Sequence, residues 1–264
     1  MSAVYLESVG VLAAGLPDWP TARRVLSGAQ AFDAAITAQP NPLLLPQNER
    51  RRVPKLVRWA IAAAQEAMSG AGRAAADVTM VFTSSSGDGE IVHKLCEAVA
   101  APPREVSPTL FHNSVHNAAP GYWSIGAGSR QGSVALSGHD ASFAVGLLEA
   151  ASLVLAEQAC VLLVACDLPY PDPLSAQRAI EASFGVAVLL THAPGTGALG
   201  RWEISIESGA ESTRFPGTLP RTLASNPAAH ALPLLAAVAC DAAATVPLTY
   251  VGGRHVAVEV RPCR

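Results

Sequence analysis

Residues 111–155 read FHNSVHNAAPGYWSIGAGSRQGSVALSGHDASFAVGLLEAASLVL, and the order of residue types in this run decides the fold. The first half is small and turn-rich, with His112, Asn113, Asn117, Pro120 and several glycines. Ser133 to Leu136 (SVAL) is an apolar run of the length of a short buried strand. Gly138, His139 and Asp140 then form a sharp turn. From Ala141 to Ala156 the chain is almost entirely apolar, with Glu149 as the charged interruption. Phe143, Leu147, Ala150 and Val154 share one helical face. The opposite face is apolar too, which predicts a helix buried on all sides. Strand, tight turn and buried helix aim a helix N-terminus, with its free N–H groups and partial positive charge, at a cavity.

This stretch resembles the nucleophile region of the β-ketoacyl synthases, the condensing enzymes of fatty-acid and polyketide synthesis. Asn117-Ala118-Ala119-Pro120-Gly121 is similar to the family's Asn-x-x-Ala-Gly-type segment, and Gly132-Ser133-Val134 to its Gly-Pro-Ser strand. Where the family has its cysteine, this chain has Gly138-His139-Asp140, with Asp140 in the nucleophile's place and no cysteine between Cys96 and Cys160. A thiolate at a helix N-terminus is stabilised and nucleophilic. A carboxylate is stabilised there as well and caps a helix, but it attacks thioesters poorly. The resemblance therefore implies a position that keeps its structural role and loses its chemical one. It also implies an α/β, thiolase-like (ketosynthase) layered fold, with a mixed sheet and helices on both faces. One domain is expected over 1–264. Residues 1–207 would be a largely intact N-terminal half, and 208–264 a C-terminal half reduced to a stub.

Composition sets limits on the function. Half of the 264 residues are apolar and only 15% are charged, which suggests surface that a partner covers. A net charge of −3 predicts no general affinity for nucleic acid or membrane. The five cysteines, at 96, 160, 166, 240 and 263, show no CxxC spacing and read as reduced and mostly buried. The N-terminus lacks the pattern of a signal peptide, and no apolar run is expected to span a bilayer, so the expected compartment is the cytoplasm.

Around this centre the chain alternates strands and helices. Val4 to Val11 reads as a strand, Pro54 to Met68 as a helix, Asp77 to Thr83 as a buried strand and Glu90 to Ala100 as a helix. Ala159 to Cys166 and Phe184 to Leu190 are buried strands. Trp202 to Glu207 is expected to pair with the strand before it, across a hairpin or linker at 192–197. Ala228 to Ala239 reads as one helix, followed by strands near Pro247 to Val251 and His255 to Val260. Ser84 to Gly89 (SSSGDG) reads as a packing turn, since Asp88 and Glu90 would repel a phosphate. His112 and His116 are spaced to share a helical face, but no third metal ligand accompanies them, so neither metal nor cofactor is expected. Arg50, Arg51 and Arg52 are candidates for docking an acidic carrier protein, with a solvated helix edge as the favoured alternative.

The resemblance implies a function by what is missing. Neither the cysteine nor the family's two histidine motifs is recognisable. This pattern is similar to the chain-length factors, inactive relatives that pair with an active ketosynthase, and to short synthase-like proteins of aryl polyene pathways. The leading expectation is a non-catalytic partner subunit, in a heterodimer with an active ketosynthase, that helps shape its acyl tunnel. His112, Asn113, His116, Asn117, Trp123, Phe143 and Leu147 would lie at the interface or tunnel. The alternatives are an acyl-thioester enzyme using Cys166, or Asp140 with His139 or His116, and a stand-alone binder of acyl-CoA or carrier protein.

Overall fold

A computed structural model describes residues 3–209 and 211–263. In chain order the elements are β1 (Ala3–Ala13), α1 (Trp19–Leu26), α2 (Gln47–Arg50), α3 (Lys55–Ala71), β2 (Thr79–Thr83), α4 (Gly89–Ala100), α5 (Pro108–Asn113), α6 (Ala118–Ala127), β3 (Ser133–Leu136), α7 (Ser142–Glu157), β4 (Val161–Asp167), α8 (Leu174–Gln177), β5 (Phe184–Thr191), β6 (Gly200–Ser208), α9 (Arg221–Ala224), α10 (Leu232–Ala239), β7 (Ala244–Thr249) and β8 (Arg254–Arg261). The strands form one eight-stranded sheet in the order β3-β2-β4-β5-β1-β6-β8-β7. β2 runs parallel to β3 and β4, and the other pairs are antiparallel.

Sequence type follows place in the sheet. β4 and β5 sit in the middle and are buried along their whole length, so they read as unbroken apolar runs rather than alternating ones. One face of the sheet packs on α3 and α6, with Leu56, Ala60, Trp59 and Trp123 in that core. The other face packs on α1, α7 and α10, with Phe143, Leu147, Trp202 and Leu235 in theirs. The expected sheet between two helical layers is therefore present.

Several expectations change. β5 and β6 do not pair, because β1 lies between them and bonds to both. The segment at 192–197 is thus a crossover over the end of β1. The C-terminal strands β8 and β7 continue the same sheet beyond β6. Residues 228–239 divide into a 3₁₀ segment, Pro227–Ala231, and α10, while β7 begins and ends earlier than expected. Finally, α7 is not buried all round. Phe143, Leu147, Ala150 and Val154 are buried, but Val145 and Leu148 are half-buried and Leu155 is exposed. His139–Glu157 is long and apolar enough, by length and composition, to cross a bilayer, which corrects the expectation that no run reaches that length. Half of that window is buried inside the chain, as in the core helix of a globular fold.

Candidate functional site

The turn between β3 and α7 is built by local constraints. A Cβ on Gly138 would lie 2.7 Å from Val145 Cγ2, so a larger residue at the turn would push on the helix. His139 follows with φ of +54°, a left-handed conformation uncommon outside glycine. Ser142 closes the turn: its hydroxyl accepts from the Gly138 N–H at 3.0 Å and donates to the His139 carbonyl at 2.6 Å. Ser137 Oγ donates to the Ser85 carbonyl at 2.8 Å, tying the turn to the loop after β2.

Asp140 does not cap α7, contrary to the sequence expectation; no side chain caps that helix. Its carboxylate instead pairs with Arg178 and lies 3.4 Å from the His139 ring. Burial works against the charge, but the hydrogen bond and positive field of Arg178 prevail and hold the Asp140 carboxyl below its usual range. Asp140 is therefore an ionised, engaged carboxylate. Such a group is an acceptor and an ion-pair partner, not an attacking group for a thioester.

Beside the turn lies a second cluster. Asp167 ends β4, where ligands gather in open sheets. Its Oδ1 accepts from Ser84 Oγ, Ser85 N and Ser85 Oγ, each at 2.8 Å. Asn226 Nδ2 donates to the Asp167 carbonyl at 2.8 Å. Arg178 Nη1 donates to Ser85 Oγ at 3.1 Å and to Tyr170 OH at 2.9 Å, so one guanidinium joins the Asp167 cluster to Asp140. Next to it is an apolar groove of about 280 Å³ between α4 and α8, walled by Gly89, Val92, Tyr170 and Leu174.

The sequence candidates divide around this centre. Trp123, Phe143 and Leu147, interface or tunnel candidates from the sequence, are at most 2% exposed and pack in the chain's own cores. Asn113 is buried and accepts from Tyr122 OH at 3.0 Å. His112 lies in the last turn of the short α5, while His116 lies beyond it, so the two do not share a helical face. His116 Nε2 is 3.2 Å from the Ser84 carbonyl, which places it near the cluster, and His112 and Asn117 are exposed. No group of three or more metal-ligating side chains occurs among the described residues.

Cys166 is fully buried, and burial followed by the charges of Asp167 and Asp88 pushes its thiol well up, which removes the thiolate that acyl transfer needs. Arg50 is half-buried, its carbonyl held by Arg58 Nη2 at 2.6 Å, whereas Arg51 and Arg52 are exposed. Sequence reasoning missed Asp167, Tyr170 and Arg178. The one available signal was a carboxylate placed directly after an apolar strand.

Comparison with known proteins adds the following. The family model for the beta-ketoacyl synthase N-terminal domain matches residues 27–244. No curated protein matches the sequence. Among solved structures, the chain is similar to one in the complex of a ketosynthase (ApeO) with its chain length factor (ApeC) from Xenorhabdus doucetiae, at 21% identity and TM-score 0.74, covering 98% of this chain and all of that one. It is similar to a beta-ketoacyl synthase from Burkholderia phymatum STM815 at 12% identity and TM-score 0.75, with both chains fully covered. It also resembles the ketosynthase of module 1 of the bacillaene synthase from Bacillus amyloliquefaciens at 11% identity and TM-score 0.57, covering 81% of this chain and 47% of that one. These likenesses establish the thiolase-like ketosynthase fold.

Proposed function

Because the chain belongs to the β-ketoacyl synthase N-terminal-domain family, we propose that it is a non-catalytic, chain-length-factor-like subunit that pairs with an active ketosynthase and walls part of its acyl tunnel. The observation that carries this is the Asp140–Arg178 pair, at the residue that the resemblance sets against the family's nucleophile. The aryl polyene assignment and the heterodimer belong to the same proposal.

The two edges of the sheet support a partner on one side. At one edge β7 carries Pro247, and its Thr249 is tied to Thr213 by hydrogen bonds of 3.2 and 3.0 Å. Proline and a covering segment blunt an edge against further pairing. The other edge, β3, carries neither device. α6, which packs on β3, exposes Ile125 (60%), and the segments before it expose Val115 (51%) and, in α5, Phe111 (67%). An open edge strand beside exposed apolar side chains is the composition of a protein–protein interface. The groove at Val92, Tyr170 and Leu174 supplies an apolar wall for a chain that does not react with this subunit.

The test is co-expression with a ketosynthase from the same biosynthetic system, with mass measured by light scattering and condensation assayed for each species. A one-to-one complex with all activity in the partner is the expected result. Condensation or malonyl decarboxylation by this chain alone would overturn the proposal.

Arg51 and Arg52 favour a contact with an acidic carrier protein as part of the same assembly. Arg51→Glu with Arg52→Glu is expected to weaken carrier binding by about tenfold, roughly 1.4 kcal/mol, and less so at high salt. Since both side chains are exposed, the unfolding midpoint should not move. Calorimetric titration at two salt concentrations, beside a thermal melt, checks both statements.

A further inference from the structure

The segment after β4 lies along the groove, anchored at its two ends by Leu168 against one core and by buried Ile180. Asp167 before it and Ile180 after it are buried, but no residue from 168 to 179 is. Two side chains hold it. The Tyr170 ring lies on Gly89, where a Cβ would come within 2.5 Å of it, and the Tyr170 hydroxyl meets Ser86 Oγ and, at 3.3 Å, Ser85 Oγ. Arg178 is bonded to Ser85, Tyr170 and Asp140. Beneath them Asp167 is 2% exposed, and its Oδ2 has no hydrogen-bond partner.

The charges around Asp167 do not balance. From the β2–α4 turn come Ser84, Ser85 and the carboxyl of Asp88, which burial pushes up. The β3–α7 turn brings Asp140 and the exposed His139. The 3₁₀ segment after α9 brings His230, which burial keeps toward its neutral form. His116 lies on the Ser84 carbonyl, and the Cys166 thiol is neutral. Arg178 is the only permanent cation among these groups, and it is shared between two carboxylates.

We propose that residues 168–180 form a latch over the groove, closed on a neutral Asp167 and loosened when that carboxyl ionises. An ionised carboxylate with one unpartnered oxygen pays desolvation while buried, and opening the segment relieves it. Burial raises the Asp167 carboxyl to about 6 despite the bonds from Ser85 and Ser84 and the field of Arg178. The closed form therefore binds the proton more tightly than an opened, hydrated form. By linkage, raising the pH through that value shifts the segment toward open. The latch stands on its own geometry; its control of chain entry to the groove rests on the proposed function.

Hydrogen exchange with peptide-resolved mass spectrometry on the full chain, at about pH 5 and about pH 7.5 and corrected for intrinsic rates, tests this. Protection of 168–180 should fall by about tenfold or more at the higher pH, the factor carried by one pKa unit, while β4 and β5 keep theirs. Glu66, whose carboxyl burial pushes up to about 7, titrates in the same range, but it accepts from Val11 and Trp19 N–H, so its effect falls on β1 and α1. Asp167→Asn should abolish the step at 168–180. Arg178→Gln should loosen the segment at both pH values and move the step upward, since the cation facing Asp167 is gone. A step that survives Asp167→Asn, or that spreads evenly over β4 and β5, or that is missing from the wild type would overturn the latch. If Asp167→Asn does not fold, a step left in place by Arg178→Gln would overturn it equally.

Discussion

Gly10→Ala should leave little or no folded protein. Gly10 lies in β1 directly under α3, and a Cβ there would sit 2.1 Å from the Ala63 carbonyl oxygen and 2.9 Å from the Ala67 nitrogen. Both are backbone atoms of one helix, so no rotamer change relieves the clash. The helix would have to lift from a strand that pairs on both sides, with β5 and β6. Overpacking of a dense core costs about 1–3 kcal/mol and more when backbone must move, against a total stability of about 5–15 kcal/mol. The expected loss is above about 3 kcal/mol. It would be read from the urea midpoint, or from soluble yield if no transition remains. Gly121→Ala is the control, because its Cβ would meet nothing within 4 Å and lies in α6, where alanine favours the helix. Equal stability of the Gly10 variant and the wild type would mean that α3 and β1 are not packed this closely.

Gly10 marks how far the sequence could be read. The strand around it was legible from alternation, and β3, α7, β4 and β5 from apolar runs bounded by turn residues. The order of strands was not, because nothing in residues 192–197 tells a hairpin from a crossover: β5 and β6 are both satisfied by β1, which lies some 180 residues earlier in the chain. The absence of a cysteine between Cys96 and Cys160 could be seen directly. The Asp140–Arg178 pair could not, since Arg178 lies 38 residues away, in the stretch after β4 that shows no periodicity. Phe143 and Leu147 show a related ambiguity. An apolar side chain on a central helix serves a subunit's own core and an interface equally well in sequence, and only the position of the sheet decides which.

Phe111→Asp with Ile125→Asp should abolish the proposed complex with a ketosynthase while leaving this chain's own fold intact. At 67% and 60% exposure these side chains contribute little to the chain's own cores, so charge there should change its stability by no more than about 0.5 kcal/mol. In a complex each would lose about 1.5–3 kcal/mol of apolar burial, and each new carboxylate would add the cost of desolvation. Together these exceed the roughly 2.7 kcal/mol that a hundredfold loss of affinity represents. Val251→Asp separates this outcome from a general effect of surface charge. Val251 is similarly exposed, at 52%, but lies in the turn between β7 and β8, at the edge already blunted by Pro247. Co-purification and light scattering should find the one-to-one species with Val251→Asp and lose it with the double variant. The reverse result would move the partner to the β7 edge. It would also leave the apolar face of α5 and α6 without a role in assembly, because the open β3 edge beside it would then be tolerated in a free chain, against the tendency of such edges to find a partner.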